Sequence, residues 1–284
     1  MNNQEIEHLV WWAKDRVRGF MTGLHRSPDF GFSLDFAQHR AYVPGDAPKF
    51  IDWSVLARQD KVLTKQYEAE SNLRAYFVLD SSSSMFVEFE GRSKWDYTVK
   101  LFTLISSVLQ KQRDALGLME VREDAHHFFE AKNTSEQIAS MLSHLKGKSL
   151  ISNKNADFSA AFDELLSRVP ARSQVILMMD VFDLNLDLLE QSLSKARTSK
   201  HQMIVIALDD PIESNAEHLK GREVVDSETG DRLFFTSDMQ EGYKDFQKGQ
   251  LKSIEELCGK VGGHFFRINI DDDLMVSLGK LLTA

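Results

Sequence analysis

The sequence predicts an α/β fold, a doubly wound and mostly parallel sheet, with a small strand-containing lobe at its N-terminal end. Three observations carry this expectation. From Ala75 onward, short apolar runs alternate with amphipathic helical segments, the rhythm of a sheet covered by helices on both faces. Two of the runs, Phe77-Val78-Leu79-Asp80 and Val175-Ile176-Leu177-Met178-Met179-Asp180, end in a carboxylate. The chain before that point lacks the rhythm, which divides it into residues 1–70 and 71–284.

Taken in order, Glu5 to Val17 reads as an amphipathic helix with Ile6, Leu9, Val10, Ala13 and Val17 on one face. Trp11 and Trp12 widen its apolar arc and are expected to dock on the protein's own core, with a partner or membrane surface as the alternative. Phe32 to Tyr67 alternates apolar and polar residues without clear helix and is broken by Val43-Pro44-Gly45-Asp46, a strong turn signal because Pro presets φ and Gly accepts positive φ. Arg40, Asp46, Asp52 and Arg58 bracket Trp53, and Arg–carboxylate pairs around a buried indole are expected there, as lobe architecture or as a recognition surface. Ala75 to Leu79 is a buried strand and Lys94 to Gln112 a helix with its stripe at Trp95, Val99, Phe102, Ile105 and Leu109.

Leu116 to Val121 and His127 to Ala131 form a hairpin around Arg122-Glu123-Asp124. Thr134 opens a helix with Gln137 at the capping-box position, and the helix closes at Lys146-Gly147. Helices over Asp157 to Val169 and Leu186 to Thr198 alternate with strands over Val175 to Met179 and Met203 to Leu208. Pro211 to Thr236 breaks the rhythm. Its two apolar runs around Ser227-Glu228-Thr229-Gly230 predict a hairpin excursion from the sheet's edge. A strand over Gly263 to Ile270 and a helix over Leu274 to Leu282 complete the pattern.

Composition narrows the function classes. The 284 residues can bury roughly three quarters of their unfolded surface, as one large domain or two small ones. A net charge of −9 argues against a broad electrostatic grip on nucleic acid or an anionic membrane. No apolar run approaches the length of a membrane span, and the acidic start is read as no signal peptide, so the chain is expected to stay in the cytoplasm. Cys258 is the single cysteine, which excludes an internal disulfide and a Cys-pair zinc site and suits an inert apolar role. His126-His127 and His264 lack a partner at metal spacing and read as ordinary strand residues.

The chemistry concentrates at Asp80-Ser81-Ser82-Ser83-Ser84. Asp80, Ser82 and Ser84 occupy alternate positions, so on an extended loop all three oxygens aim at one point. Carboxylate and hydroxyl oxygens suit a hard cation such as Mg²⁺ or Mn²⁺. In open α/β sheets ligands gather beyond the carboxyl ends of strands where strand order reverses, so Asp180 offers a second carboxylate to the same crevice if its strand neighbours that of Asp80. Asp183 is read as a turn or cap residue.

This set resembles the metal-ion-dependent adhesion site of von Willebrand factor type A domains. The resemblance implies a divalent ion held by Asp80, Ser82, Ser84 and Asp180, completed by an acidic residue of a protein partner. The longer pattern Arg40-Ala41-Tyr42-Val43-Pro44-Gly45-Asp46, Ile51-Asp52-Trp53 and Ala57-Arg58, followed by the Asp80 motif, is similar to the bacterial domain-of-unknown-function 58 family. That likeness runs over nearly the whole chain. It implies an adaptor or client-handling role beside a MoxR-type AAA+ ATPase, with Arg40, Asp46, Asp52, Trp53 and Arg58 as a partner-binding signature. One departure matters: Ala156 falls where type A domains supply a threonine, and a methyl group cannot coordinate a cation. The site is therefore expected to be degenerate, with water or Asn155, Ser152 or Asp157 in place of that hydroxyl.

Enzyme readings find less support. Position 82 is Ser where a haloacid-dehalogenase-like phosphatase needs a second Asp. Ser81 to Ser84 match neither Gly-x-Ser-x-Gly nor Ser-x-x-Lys. No phosphate-binding Gly-rich loop occurs. A non-enzymatic interaction protein is the expectation, and its alternative is a hydrolase that uses a metal in the Asp80 crevice to activate water.

Overall fold

The structure, a computed structural model, describes residues 34–43, 48, 51–59, 61–69, 73–122, 126–146, 158–180, 185–226 and 230–282. The expected helix bearing Trp11 and Trp12, the turn through Asp46, the loop from Ser152 to Asp157 with Ala156, and Asp183 all lie outside the described residues. The chain divides into two compact units, residues 25–72 and the remainder of the described chain from Leu73.

The smaller unit is an antiparallel pair, β1 (Leu34–Ala41) and β2 (Leu63–Ala69), in register from Leu34↔Ala69 to Ala41↔Leu63 with one shift between Phe36 and Gln38. Between them lies α1 (Trp53–Gln59), a helix that the alternation of the sequence does not reveal. Seven residues are too few for periodicity to show. The local signal is the cap instead: the Asp52 carboxylate accepts the N–H groups of Ser54 (3.0 Å) and Val55 (3.2 Å), which an N-terminal Asp does well. The expected burial of the indole is overturned, because Trp53 is 61% exposed. As the first residue of a short capped helix it faces outward, while Val55 and Leu56 are half-buried.

The larger unit is built on a six-stranded sheet. Its strands are β3 (Arg74–Asp80), β6 (Ala115–Val121), β7 (His127–Lys132), β8 (Gln174–Met179), β9 (Gln202–Asp209) and β12 (His264–Asn269), in the order β12-β9-β8-β3-β6-β7. All neighbours are parallel except the edge strand β7, which returns antiparallel from β6. A strand buried on both faces needs a continuous apolar run, and β3 is buried from Ala75 to Asp80. Alternate residues serve opposite cores: Phe77 and Leu79 join one cluster, Tyr76 and Val78 the other. The first core is covered by α2 (Lys94–Lys111), α3 (Ser135–Leu145) and α9 (Leu274–Leu282). The second is covered by α4 (Phe158–Arg168), α5 (Leu186–Thr198) and α8 (Met239–Val261).

The excursion after β9 begins with two one-turn helices, α6 (Pro211–Ser214) and α7 (Ala216–Leu219). The expected hairpin follows, β10 (Glu223–Val225) antiparallel to β11 (Arg232–Phe234). A further two-residue pair, β4 (Glu88–Phe89) with β5 (Arg92–Ser93), leads into α2. The capping box at Thr134 is corrected: its side chain caps nothing, and the Gln137 amide instead donates to the carbonyls of Leu116 (3.3 Å) and Glu130 (2.8 Å). A buried side-chain amide satisfies strand carbonyls there, so tertiary demand outweighs the local cap. Among the described residues no helix is long and apolar enough to cross a membrane.

Gly117 of β6 sits beside Tyr76 of β3, whose ring stacks on Phe128 at 5.9 Å between centroids. A Cβ at Gly117 would lie 2.5 Å from Tyr76 Cε1 and 2.9 Å from the Phe129 carbonyl. Gly117→Ala should therefore destabilise the protein by about 1–3 kcal/mol, read as a lower urea midpoint at unchanged slope. An unchanged midpoint would show that the ring moves freely.

Candidate functional site

Two strand ends make the site. β3 and β8 are parallel neighbours in register through Leu79↔Met178, so Asp80 at the end of β3 and Asp180 just beyond β8 emerge side by side. The chain leaves β3 through α2 toward β6 and leaves β8 through α5 toward β9, on opposite faces. Strand order reverses between them, which opens a crevice at this point. Asp80, Ser82, Ser84 and Asp180 are all buried, and the structure brings the four expected residues together.

The loop after β3 is not extended, as the alternate spacing of its oxygens had suggested. Ser83–Phe86 is a single 3-10 turn, closed by the Met85 N–H on the Ser82 carbonyl (3.1 Å) and anchored by the fully buried Met85. The turn nevertheless leaves the Ser82 and Ser84 hydroxyl oxygens 3.1 Å apart. The Ser81 hydroxyl points elsewhere, donating to the Val121 carbonyl at 2.7 Å and tying the loop to the end of β6. The Asp80 carboxylate accepts the Ser82 N–H at 2.8 Å, and the Ser82 hydroxyl and the Asp180 N–H also donate to it. Burial nevertheless dominates and pushes the Asp80 carboxyl up to about 6, with the Asp180 charge adding to the rise.

Sequence reasoning missed the cation already present. Lys94 opens α2, whose N-cap is Ser93, and its Nζ donates to Asp180 Oδ2 at 2.6 Å and to Glu213 Oε2. An ammonium at a helix N-terminus works against the helix dipole, and a buried one requires paired charges. Burial presses the Lys94 ammonium downward, but Asp180 and Glu213 together outweigh it and hold its pKa above the usual lysine range. Glu213 belongs to α6, capped by the Asp210 carboxylate on the Ile212 N–H at 2.9 Å. Its own carbonyl accepts from the Tyr243 hydroxyl at 2.9 Å. Burial raises the Glu213 carboxyl to about 7 against the pull of Lys94.

Signals for both residues existed. Lys94, Thr98 and Leu101 share one helical face at i, i+4 and i+7 and all are buried, so a lysine at the head of that row needed a counter-charge. β9 is a third strand ending in carboxylates, Asp209-Asp210, just ahead of Glu213. Asp209 Oδ2 accepts from Arg267 (2.7 Å) and Asp210 caps α6, so the carboxylate that meets Lys94 from this segment is that of Glu213.

The N-terminal signature lies in the smaller unit. Asp52 is buried and meets His39 Nε2 at 2.9 Å. Arg40 donates to the Ala41 carbonyl at 3.3 Å and Arg58 to the Ser54 carbonyl at 3.1 Å. Trp53 presents an open indole face. Cys258 is buried in the second core, and burial lifts its thiol to about 12, so it is no nucleophile at neutral pH. His127 stacks on His144 with ring centroids 4.0 Å apart. Among the described residues no group of three His, Cys, Asp or Glu is placed to hold a metal, so ligands at the crevice would include the serine hydroxyls and water.

Among the solved structures to which the chain is similar are two of low sequence identity. The crystal structure of conserved hypothetical protein BatB from Bacteroides thetaiotaomicron is 13% identical, covering 74% of this chain and 97% of its own with a TM-score of 0.47. The SpRpn10 VWA domain is 9% identical, covering 74% of this chain and 94% of its own with a TM-score of 0.44. No curated protein matches. The model of the family described as protein of unknown function DUF58 matches residues 38–256, and the chain belongs to that family.

Proposed function

We propose that this chain is a non-enzymatic, cytoplasmic interaction protein that captures an acidic residue of a protein partner at the crevice between β3 and β8. In this reading its fold is von Willebrand factor type A-like, with the strand order β12-β9-β8-β3-β6-β7. The observation that carries the proposal is the pairing of two buried strand-end carboxylates with two hydroxyls at ligand spacing. Adjacent ligands of an octahedral Mg²⁺, each about 2.1 Å from the ion, lie about 3.0 Å apart, and the Ser82 and Ser84 oxygens are separated by 3.1 Å. The charges agree in sign: the carboxylates of Asp80, Asp180 and Glu213 outnumber the Lys94 ammonium, so the crevice favours a cation when they are ionised. The residues present thus fit Mg²⁺ or Mn²⁺. Asp80, Ser82 and Ser84 would hold the ion, with Asp180, already bound to Lys94, acting from its flank. When bound, the ion supplies an electrophilic position for a partner's carboxylate oxygen.

In this reading the partner is a MoxR-type AAA+ ATPase or its client. The signature of Arg40, Asp46, Asp52, Trp53 and Arg58 provides a second contact, for which the exposed Trp53 is suited as an aromatic anchor.

Thermal unfolding tests the ion. Mg²⁺ or Mn²⁺ at about 100 times its dissociation constant should stabilise the chelated protein by about 2.7 kcal/mol, a rise of roughly 5 °C, and Asp80→Ala should abolish the rise. No rise in the native protein would remove the ion from the proposal. Binding to a purified MoxR-type ATPase from the same cell should require both the divalent ion and Asp80. Binding indifferent to Asp80 would move the contact elsewhere, and Asp80-dependent turnover of phosphoesters would make the protein a hydrolase.

The Asp80 carboxyl also predicts a pH dependence. In chelator, the unfolded chain ionises this group near pH 4 and the native chain near pH 6, so the native state holds more protons in that window. Stability therefore falls as pH rises from about 4 to 6, by on the order of 2–3 kcal/mol. Asp80→Asn removes this component: measured by urea denaturation, its stability relative to the native protein should increase across the same window. A constant difference would place Asp80 in a more hydrated setting.

A further inference from the structure

The Lys94 side chain is 1% exposed, Asp180 5% and Glu213 31%. Of the three charged groups Glu213 is by far the most exposed, so it is the one that water reaches most readily. The two carboxylates are also held differently. Asp180 is fixed by the end of a central strand, whereas Glu213 rides on the one-turn helix α6 of the excursion, tethered through its carbonyl by Tyr243 at 2.9 Å. An ammonium has three donors and no acceptor, and one buried at a helix N-terminus stays there only with negative partners. Lys94 thus holds two carboxylates, and the more exposed of them comes from a one-turn helix.

We propose that Lys94 is a carboxylate-binding residue whose internal ligand, Glu213, is exchanged for a carboxylate presented by a protein partner. The inference rests on reading this crevice as the partner site, and it adds a receptor that operates without a metal. No covalent bond changes in the exchange. The ammonium keeps its charge, Glu213 is released to water, and the incoming carboxylate takes over its hydrogen bond. A neutral or basic group in that position would leave Lys94 with Asp180 as its remaining partner of the pair and is rejected on that ground.

The test is rescue by a small carboxylate in the full-length protein, with chelator present throughout. Glu213→Ala opens the outer position. Sodium acetate, balanced against sodium chloride at constant ionic strength, should raise its melting temperature by about 2 °C at several times the dissociation constant. Acetamide, equal in shape but uncharged, should give no rise, and the native protein should not respond to acetate beyond chloride. Glu213→Gln, which keeps the side-chain volume and serves if the alanine variant folds poorly, should show a smaller rise. Equal responses to acetate, acetamide and chloride in both variants would overturn the proposal, as would an equal acetate response in the native protein. Because the chelated protein is used, the result is separate from the metal test. Rescue by acetate with no response to Mg²⁺ would retain Lys94 and dismiss the ion, and a Mg²⁺ response without rescue would do the reverse.

Discussion

The parallel pairing of β3 with β8 is the constraint on which the rest of the larger unit depends. Each strand is buried on both faces, so each needs a neighbour for its backbone groups and an apolar layer above and below. Once the two lie side by side in register, their carboxyl ends fall together and the carboxylates at those ends share one crevice. The helices that follow depart on opposite faces of the sheet. The position of the site is thus a consequence of strand order before any side chain is considered.

The electrostatics of the crevice run against the economy of folding. Three carboxylates gather where desolvation raises two of them, Asp80 and Glu213, and one ammonium answers them from the least favourable end of a helix. Buried ion pairs of this kind rarely stabilise a fold relative to apolar packing. The neighbouring cores, with Phe77 set edge-on to Phe102 at 4.8 Å and Met85 fully enclosed, supply the stability that allows such a concentration of charge. Such a cluster, with two carboxyls raised by burial at the switch point of the sheet, has the electrostatic character common at binding sites of α/β folds.

The sheet, its edge hairpin, both layers of helix and the β10–β11 excursion were legible because each depends on a local pattern: period two in strands, 3.6 in helices, polar residues in turns. Asp80, Ser82, Ser84 and Asp180 were legible for a related reason, since a carboxylate ending an apolar strand is visible in the chain itself. Where the reading failed, a distant group had intervened or the local signal was too short. Gln137 left its cap to satisfy two strand carbonyls, and α1 arose from a single Asp52 cap too brief to register as a period. The serine loop kept its convergence of oxygens through a 3-10 turn rather than an extended segment.

By itself the sequence determined the architecture and the polar residues that end its central strands, because hydrophobic period and strand-end chemistry are properties of consecutive residues. Only the tertiary structure decided the charge balance of the crevice. Lys94 lies 86 residues from Asp180 and 119 from Glu213, and no local rule couples positions so far apart. What joins them is the requirement that a buried ammonium find its counter-charges wherever the folded chain brings them.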